Sequence, residues 1–207
     1  MKKIITLLLV AITTTIAAQS KYDKGMQKAF DLWSQNKTTE AAQLFERISK
    51  AAPDQWLPPY YVATIEILGS FGLKDEATLN SKLKKAQEFL DEAKSISPDN
   101  PEIIINQALL NTAYIAFDGQ KYGMSLSGKN AILYNKALQL APNNPRVILG
   151  KAEWDMGSAR FFNQPIEPYC KDVAKALELF KKEKLPKFYP KYGKDRAKEV
   201  LKQCKKS

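Results

Sequence analysis

Residues 86–98 read AQEFLDEAKSISP, and the spacing of this stretch recurs along the chain. An apolar residue comes four positions after the first residue, a small or apolar residue comes three later, and a proline comes five after that. Residues 41–53 (AAQLFERISKAAP) and 130–142 (NAILYNKALQLAP) have the same spacing. The closing prolines, with a fourth in a looser copy, are 45, 44 and 44 positions apart: Pro53, Pro98, Pro142 and Pro186. A fixed period of this length predicts an array of similar units rather than a single enclosed active site.

Nearly every segment has the periodicity of a helix, and no stretch alternates as a β-strand would. We therefore expect an all-α solenoid of antiparallel helix pairs. The predicted units cover residues 22–55, 56–100, 101–144 and 145–186. The last three units contain surplus residues, which predict long connections within each helix pair at 71–81, 120–129 and 163–170. Residues 187–207 are predicted to form a basic capping helix that ends the array.

A small residue recurs on the first helix of each unit: Ala29, Ala63, Ala108 and Ala152. Together with the pattern on the second helix and its closing proline, these alanines resemble the tetratricopeptide repeat (TPR). The likeness covers residues 22 to 186. The usual TPR period is about 34 residues, so the last three units exceed it by about ten and are degenerate.

The resemblance implies a concave face lined by the first helices, on which a peptide or protein partner would bind. Carried over by position, the lining would consist of Tyr60, Thr64, Ile105, Leu109, Thr112, Leu149, Glu153 and Met156. This set is mostly apolar. The alternative is that these side chains only pack between repeats.

Residues 1–18 resemble a secretory signal peptide. Lys2 and Lys3 precede a short apolar run, and Ala17-Ala18 offers a cleavage site. We expect a periplasmic or secreted protein without a transmembrane anchor. In an oxidising compartment Cys170 and Cys204 are expected to pair, since a helical hairpin about the turn at Pro186 would bring them level; the alternative is two thiols packed as small apolar residues.

The net charge of +10 is concentrated at the C-terminus, where residues 181–207 contain eleven Lys or Arg and three Asp or Glu. The repeats themselves are close to neutral, so the basic composition does not indicate nucleic-acid binding. The basic tail could contact anionic surfaces electrostatically, although a charge run is more often a solvated face.

The chain contains no histidine, which excludes histidine-based catalytic triads and histidine-containing metal sites. No catalytic residues, metal site or cofactor are predicted. Residues 123–130 (GMSLSGKN) approach a phosphate-binding loop, but Asn130 stands where Ser or Thr would be needed. We interpret that stretch as a glycine-containing loop.

These observations favour a non-enzymatic interaction module, an adaptor or assembly factor of the bacterial cell envelope. Two alternatives remain open. One is a small-ligand carrier or enzyme built on the long connections within the helix pairs. The other is a cationic protein associated with the envelope surface.

Overall fold

The computed structural model describes residues 21–204, so the predicted signal segment at 1–18 lies outside the described residues. This part of the chain forms nine α-helices and no β-strand. Helix α1 covers residues 21–34. The others are α2 (Thr38–Ala51), α3 (Leu57–Leu68), α4 (Glu76–Ile96), α5 (Pro101–Phe117), α6 (Gly119–Leu140), α7 (Pro145–Phe161), α8 (Glu167–Lys182) and α9 (Lys194–Cys204). Between residues 21 and 204, no helix is both long and apolar enough to span a membrane.

The helices pack in consecutive antiparallel pairs, α3 with α4, α5 with α6 and α7 with α8, which confirms the predicted all-α solenoid. The first helix of a pair starts in the same way in two units. The side chain of Asn100 accepts a hydrogen bond from the backbone N–H of Glu102 at 3.0 Å. Asn144 caps α7 likewise, accepting from Arg146 at 2.9 Å. A proline follows each cap, where its missing N–H has no cost.

The recurring alanines lie where helices approach each other. Ala29, Ala63 and Ala108 have no exposed surface, and Ala152 is 2% exposed. The apolar positions of the second helices are also buried: Phe45, Leu90, Tyr134, Ala93 and Ala137. A side chain larger than alanine at any of the four first-helix alanines would force the helices apart, because protein interiors are close-packed.

The predicted connection at 120–129 is wrong, because these residues form the first half of α6. The glycines and serines of this stretch favour a loop, but tertiary contacts override that preference. Asp118 caps the helix by accepting from the backbone N–H groups of Gln120 and Lys121, both at 3.0 Å. The Tyr122 hydroxyl donates to Glu76 of α4 at 2.5 Å, which fixes the start of α6 against the neighbouring pair.

The other two connections are shorter than predicted. Helix α4 begins at Glu76, inside the expected connection 71–81, because Asp75 caps it by accepting from the Thr78 backbone N–H at 2.8 Å. Helix α8 begins at Glu167 with Pro168 in its first turn, inside the expected connection 163–170. The surplus of the long repeats therefore goes mainly into extended second helices, 21 residues in α4 and 22 in α6.

Helix α9 packs against α8 as a cap, but it begins at Lys194, whereas the predicted capping helix begins at residue 187. A disulfide between Cys170 and Cys204 joins the two helices, with an S–S distance of 2.07 Å and a Cα–Cα distance of 6.0 Å. The covalent link holds together the two ends of the final hairpin, whose middle segment is not helical.

Replacing both cysteines with serine is expected to lower the free energy of unfolding by about 2–4 kcal/mol, because the 34-residue separation constrains the unfolded chain. Denaturant titration of the oxidised protein and the double variant measures this difference. A reducing agent should shift the midpoint of the wild-type chain and leave the double variant unchanged. Equal midpoints for both proteins under oxidising conditions would contradict the expectation.

Candidate functional site

A cavity of about 1490 Å³ lies on the side of the array formed by the first helices α1, α3, α5 and α7. The first half of α6 and the segment that joins α8 to α9 complete its wall. Typical small-molecule pockets measure about 300–1,000 Å³. The cavity is therefore large enough for a ligand bulkier than an ordinary metabolite.

Six of the eight residues predicted to line a concave face do line this cavity: Thr64, Ile105, Leu109, Thr112, Leu149 and Glu153. The other two lie elsewhere. Tyr60 and Met156 are buried in the core between helices and do not border the cavity. Positions carried over from the repeat pattern thus place six side chains on the cavity wall and two in the core between helices.

The threonine hydroxyls of the wall are already engaged within the protein. Thr64 donates to the Tyr60 carbonyl at 2.8 Å and accepts from Asn106 at 2.8 Å. Thr112 donates to the Ala108 carbonyl at 2.8 Å and accepts from Asn130 at 3.0 Å. With these groups satisfied, the wall between α3 and α6 offers a ligand mainly apolar contact.

Residues 187–193, which we call the strap, run back across the first-helix side of the array, and all seven border the cavity. Three contacts hold the strap to the N-terminal repeats. Lys187 pairs with Asp23 at 2.7 Å, and the Tyr61 hydroxyl donates to the Phe188 carbonyl at 2.6 Å. The ring of Tyr189 meets that of Trp56 edge-on at 5.5 Å. The strap therefore converts an open groove into a cavity.

Phe188 is the central anchor of the strap. Its ring stacks on Phe30 at 5.8 Å and meets Tyr22 edge-on at 6.3 Å. Its backbone has φ +62, a left-handed conformation that is uncommon for a bulky residue and costs about 1–3 kcal/mol. Burial raises the pKa of Tyr61, whose protonated hydroxyl donates to the carbonyl of this strained residue. The aromatic cluster offsets the strain.

The far end of the strap turns at Gly193, which has φ +107. A Cβ atom there would lie 2.6 Å from Cζ of Phe180, closer than real contacts allow. Glycine is required both for the conformation and for the approach to α8.

A buried charge network holds the base of the strap. Arg146 of α7 donates to Glu102 of α5 at 2.8 Å, and to both carboxylate oxygens of Glu183 at 3.0 and 2.5 Å. Asn144 also donates to Glu102, at 2.7 Å. Glu102 has no exposed surface, and its burial raises its pKa against the opposing effect of Arg146. The network joins two repeats to the segment that precedes the strap.

The cavity opens past large apolar side chains that water reaches. Met124 is 98% exposed, Phe161 77% and Phe162 67%. With Leu68 and Phe71 they form what we call the apolar rim, and all five border the cavity. Apolar residues gathered around an opening are typical of a binding site rather than of ordinary surface.

Residues 21–204 contain no cluster of three or more acidic or cysteine side chains that could hold a metal ion. Both cysteines are consumed by the disulfide. The stretch 123–130 lies within helix α6, so its backbone N–H groups cannot form a phosphate-binding loop. A ligand in this cavity would be held by packing and by the polar groups of the strap.

Sequence reasoning missed the strap completely. The repeat pattern places residues 186–193 (PKFYPKYG) at the end of the last repeat and the start of the capping helix, although they contain three aromatic side chains and two prolines. Three aromatic side chains within eight residues that lack helical periodicity could have indicated a packed segment, because exposed loops rarely contain so many aromatic residues.

No protein-family model matches the chain, and no curated protein matches it. Among solved structures, the HusA haemophore from Porphyromonas gingivalis has a TM-score of 0.78 and 22% sequence identity, over 89% of this chain and 92% of that chain. A thermophilic TPR protein from Thermus thermophilus has a TM-score of 0.45 and 14% identity, over 90% of this chain and all of that chain. The chain thus shares its all-helical fold with a haemophore.

Proposed function

We propose that this protein is a non-enzymatic carrier that binds a bulky, mainly apolar small molecule in the cavity beneath the strap. The observation that carries the proposal is the strap, which crosses the groove. A groove for an extended peptide must stay open along its length, whereas the strap crosses this one and is anchored on both sides. The small-ligand alternative from the sequence therefore takes precedence over a peptide-binding adaptor.

A tetrapyrrole is the first candidate for the ligand. The fold neighbour is described as a haemophore, and a flat aromatic macrocycle suits a wall that includes Phe30, Trp33, Tyr61 and Trp154. The disulfide supports a location in an oxidising compartment outside the cytoplasm.

Porphyrin binding should raise the melting temperature. At a free ligand concentration a hundred times Kd the native state gains about 2.7 kcal/mol, which corresponds to about 5–10 °C for a chain of this size. Quenching of Trp33 and Trp154, which border the cavity, gives Kd directly. Iron-free protoporphyrin IX should bind within about threefold of haem, if packing against the mainly apolar wall rather than an axial ligand to the iron supplies the affinity.

A glycine pair supplies the matched control. Gly157 of α7 borders the cavity, and a Cβ there meets nothing within 4 Å, so Gly157→Phe should fill the cavity without a clash. Gly128 of α6 has equally open space but does not border the cavity, so Gly128→Phe should bind as the wild type does. We expect at least a tenfold weaker Kd for the first variant alone. Equal affinity for both variants, or no porphyrin binding by the wild-type chain, would overturn the proposal.

A protein partner is a second candidate, favoured by the exposed side chains of the apolar rim. Such a partner would contact the opening rather than lie along the groove. Crosslinking in the native envelope, with Phe161→Ser and Phe162→Ser as comparison variants, tests this role. A dominant crosslinked protein that is lost with the two substitutions would support it.

A further inference from the structure

Among the charged groups that border the cavity, cationic side chains outnumber carboxylates. Four are cationic, Arg146, Lys187, Lys191 and Arg196, and one is a carboxylate, Glu153. An apolar enclosure strengthens the field of such groups, because water screens it less. The cavity therefore favours a ligand that has negative charge.

Three of the four cations are already paired within the protein. Arg146 binds Glu102 and Glu183. Lys187 binds Asp23 at 2.7 Å, and Arg196 binds Glu153 at 2.6 Å. These ion pairs leave the three side chains less able to bind a further anion.

Lys191 differs from the other three. It lies in the middle of the strap, it is exposed, and among the described residues no carboxylate lies within ion-pair distance of it. Its neighbour Tyr192 also borders the cavity. A cation without a protein partner, on an anchored segment that borders the cavity, is available to an anion that the protein itself does not provide.

The two ends of the cavity also differ in polarity. The strap contacts Trp56, just before the N-terminal end of α3, and Glu183, in the segment that precedes the strap, pairs with Arg146 near the N-terminal end of α7. The apolar rim includes Leu68 and Phe161, the last residues of the same two helices. Twelve residues of helix separate Trp56 from Leu68, about 18 Å at 1.5 Å per residue. A ligand that spans the cavity meets cations and tyrosines at one end and apolar groups at the other.

We propose that Lys191 binds a carboxylate of the ligand, so that the carrier selects amphipathic anions with a bulky apolar body and an acidic edge. This inference rests on the proposed function and specifies its ligand class. Free acids would bind in preference to their esters, and the strap would discriminate between them.

The test compares protoporphyrin IX, which has free propionates, with its dimethyl ester, which has the same ring and no charge. Lys191→Gln is expected to weaken protoporphyrin IX binding about tenfold, as for a charge-assisted hydrogen bond at a partly exposed site, and to leave the ester unchanged. Lys191→Arg should restore most of the affinity. Lys202→Gln removes an exposed α9 lysine that has no ion pair among residues 21–204 and does not border the cavity, so it should change neither ligand.

Added salt should weaken binding of the free acid to the wild-type chain more than binding to Lys191→Gln, because screening acts on the ion pair. If both porphyrins bind the wild-type chain and Lys191→Gln changes neither affinity, the inference is wrong while the carrier proposal stands. If neither porphyrin binds, the tetrapyrrole proposal fails and this inference fails with it.

Discussion

Replacing Arg146 with methionine is expected to lower the free energy of unfolding by about 3–5 kcal/mol, because the change leaves the buried Glu102 carboxylate without its cation. Methionine has a similar length and can fill the space, so the loss reports on charge rather than on packing. Urea titrations of the wild type and the variant near neutral pH give the difference, provided that the m-values agree.

The loss of stability in the Arg146→Met variant should become smaller as the pH falls. The folded-state pKa of Glu102 is raised by burial, so this carboxyl destabilises the folded chain above that pKa, and the penalty is relieved as the pH falls and the group takes up a proton. Arg146 opposes the shift, so its loss raises the pKa of Glu102 further. The variant should therefore recover part of its stability relative to wild type as the pH is lowered from neutral towards the ordinary pKa of a glutamate.

The double variant Arg146→Met, Glu102→Gln provides the control, since glutamine can keep the hydrogen bond from Asn144 without a charge. It should regain most of the lost stability and show a deficit that no longer varies with pH. A single variant that is as stable as the wild type, or whose deficit grows on acidification, would contradict this account of the network.

The helical array was predictable because its information is local and repeated. Each alanine on a first helix and each apolar residue on a second helix lies within one unit and recurs at the same register, as Ala63 and Ala108 do. The stretch 120–129 was wrongly predicted to be a loop. The glycines that favour a loop lie within the stretch itself, whereas the contact that favours a helix, between Tyr122 and Glu76, comes from another unit. Local preference is a weak guide where tertiary contacts decide.

The cavity was only half predictable. Its helical wall follows from the repeat register, which supplied Thr64, Ile105 and four more lining residues. The strap depends on contacts between residues 127 and 164 positions apart, Tyr61 with Phe188 and Asp23 with Lys187. These pairs are not related by the repeat period. A sequence analysed unit by unit therefore predicts an uncovered groove, whereas in the folded chain the strap crosses it.

Replacing Phe188 with alanine should release the strap and weaken porphyrin binding about 10- to 100-fold, the equivalent of the apolar contact that one buried aromatic side chain provides. The ring leaves the cluster with Tyr22 and Phe30, while the backbone strain at φ +62 remains and is no longer offset. A buried phenylalanine truncated to alanine costs about 3–5 kcal/mol in a rigid core. Here the loss in global unfolding should be smaller, because a connecting segment can detach while the helix pairs stay folded.

Two measurements separate local release from global unfolding. Limited trypsin digestion should cut the variant faster at Lys187 and Lys191, and hydrogen exchange should increase at residues 187–193 while it stays slow in α3 and α5. Phe188→Leu keeps an apolar side chain and should fall between wild type and Phe188→Ala. Ile132→Ala removes an exposed side chain that does not border the cavity, and should change neither property. Wild-type porphyrin affinity together with unchanged cleavage in Phe188→Ala would show that the cavity does not depend on this anchor.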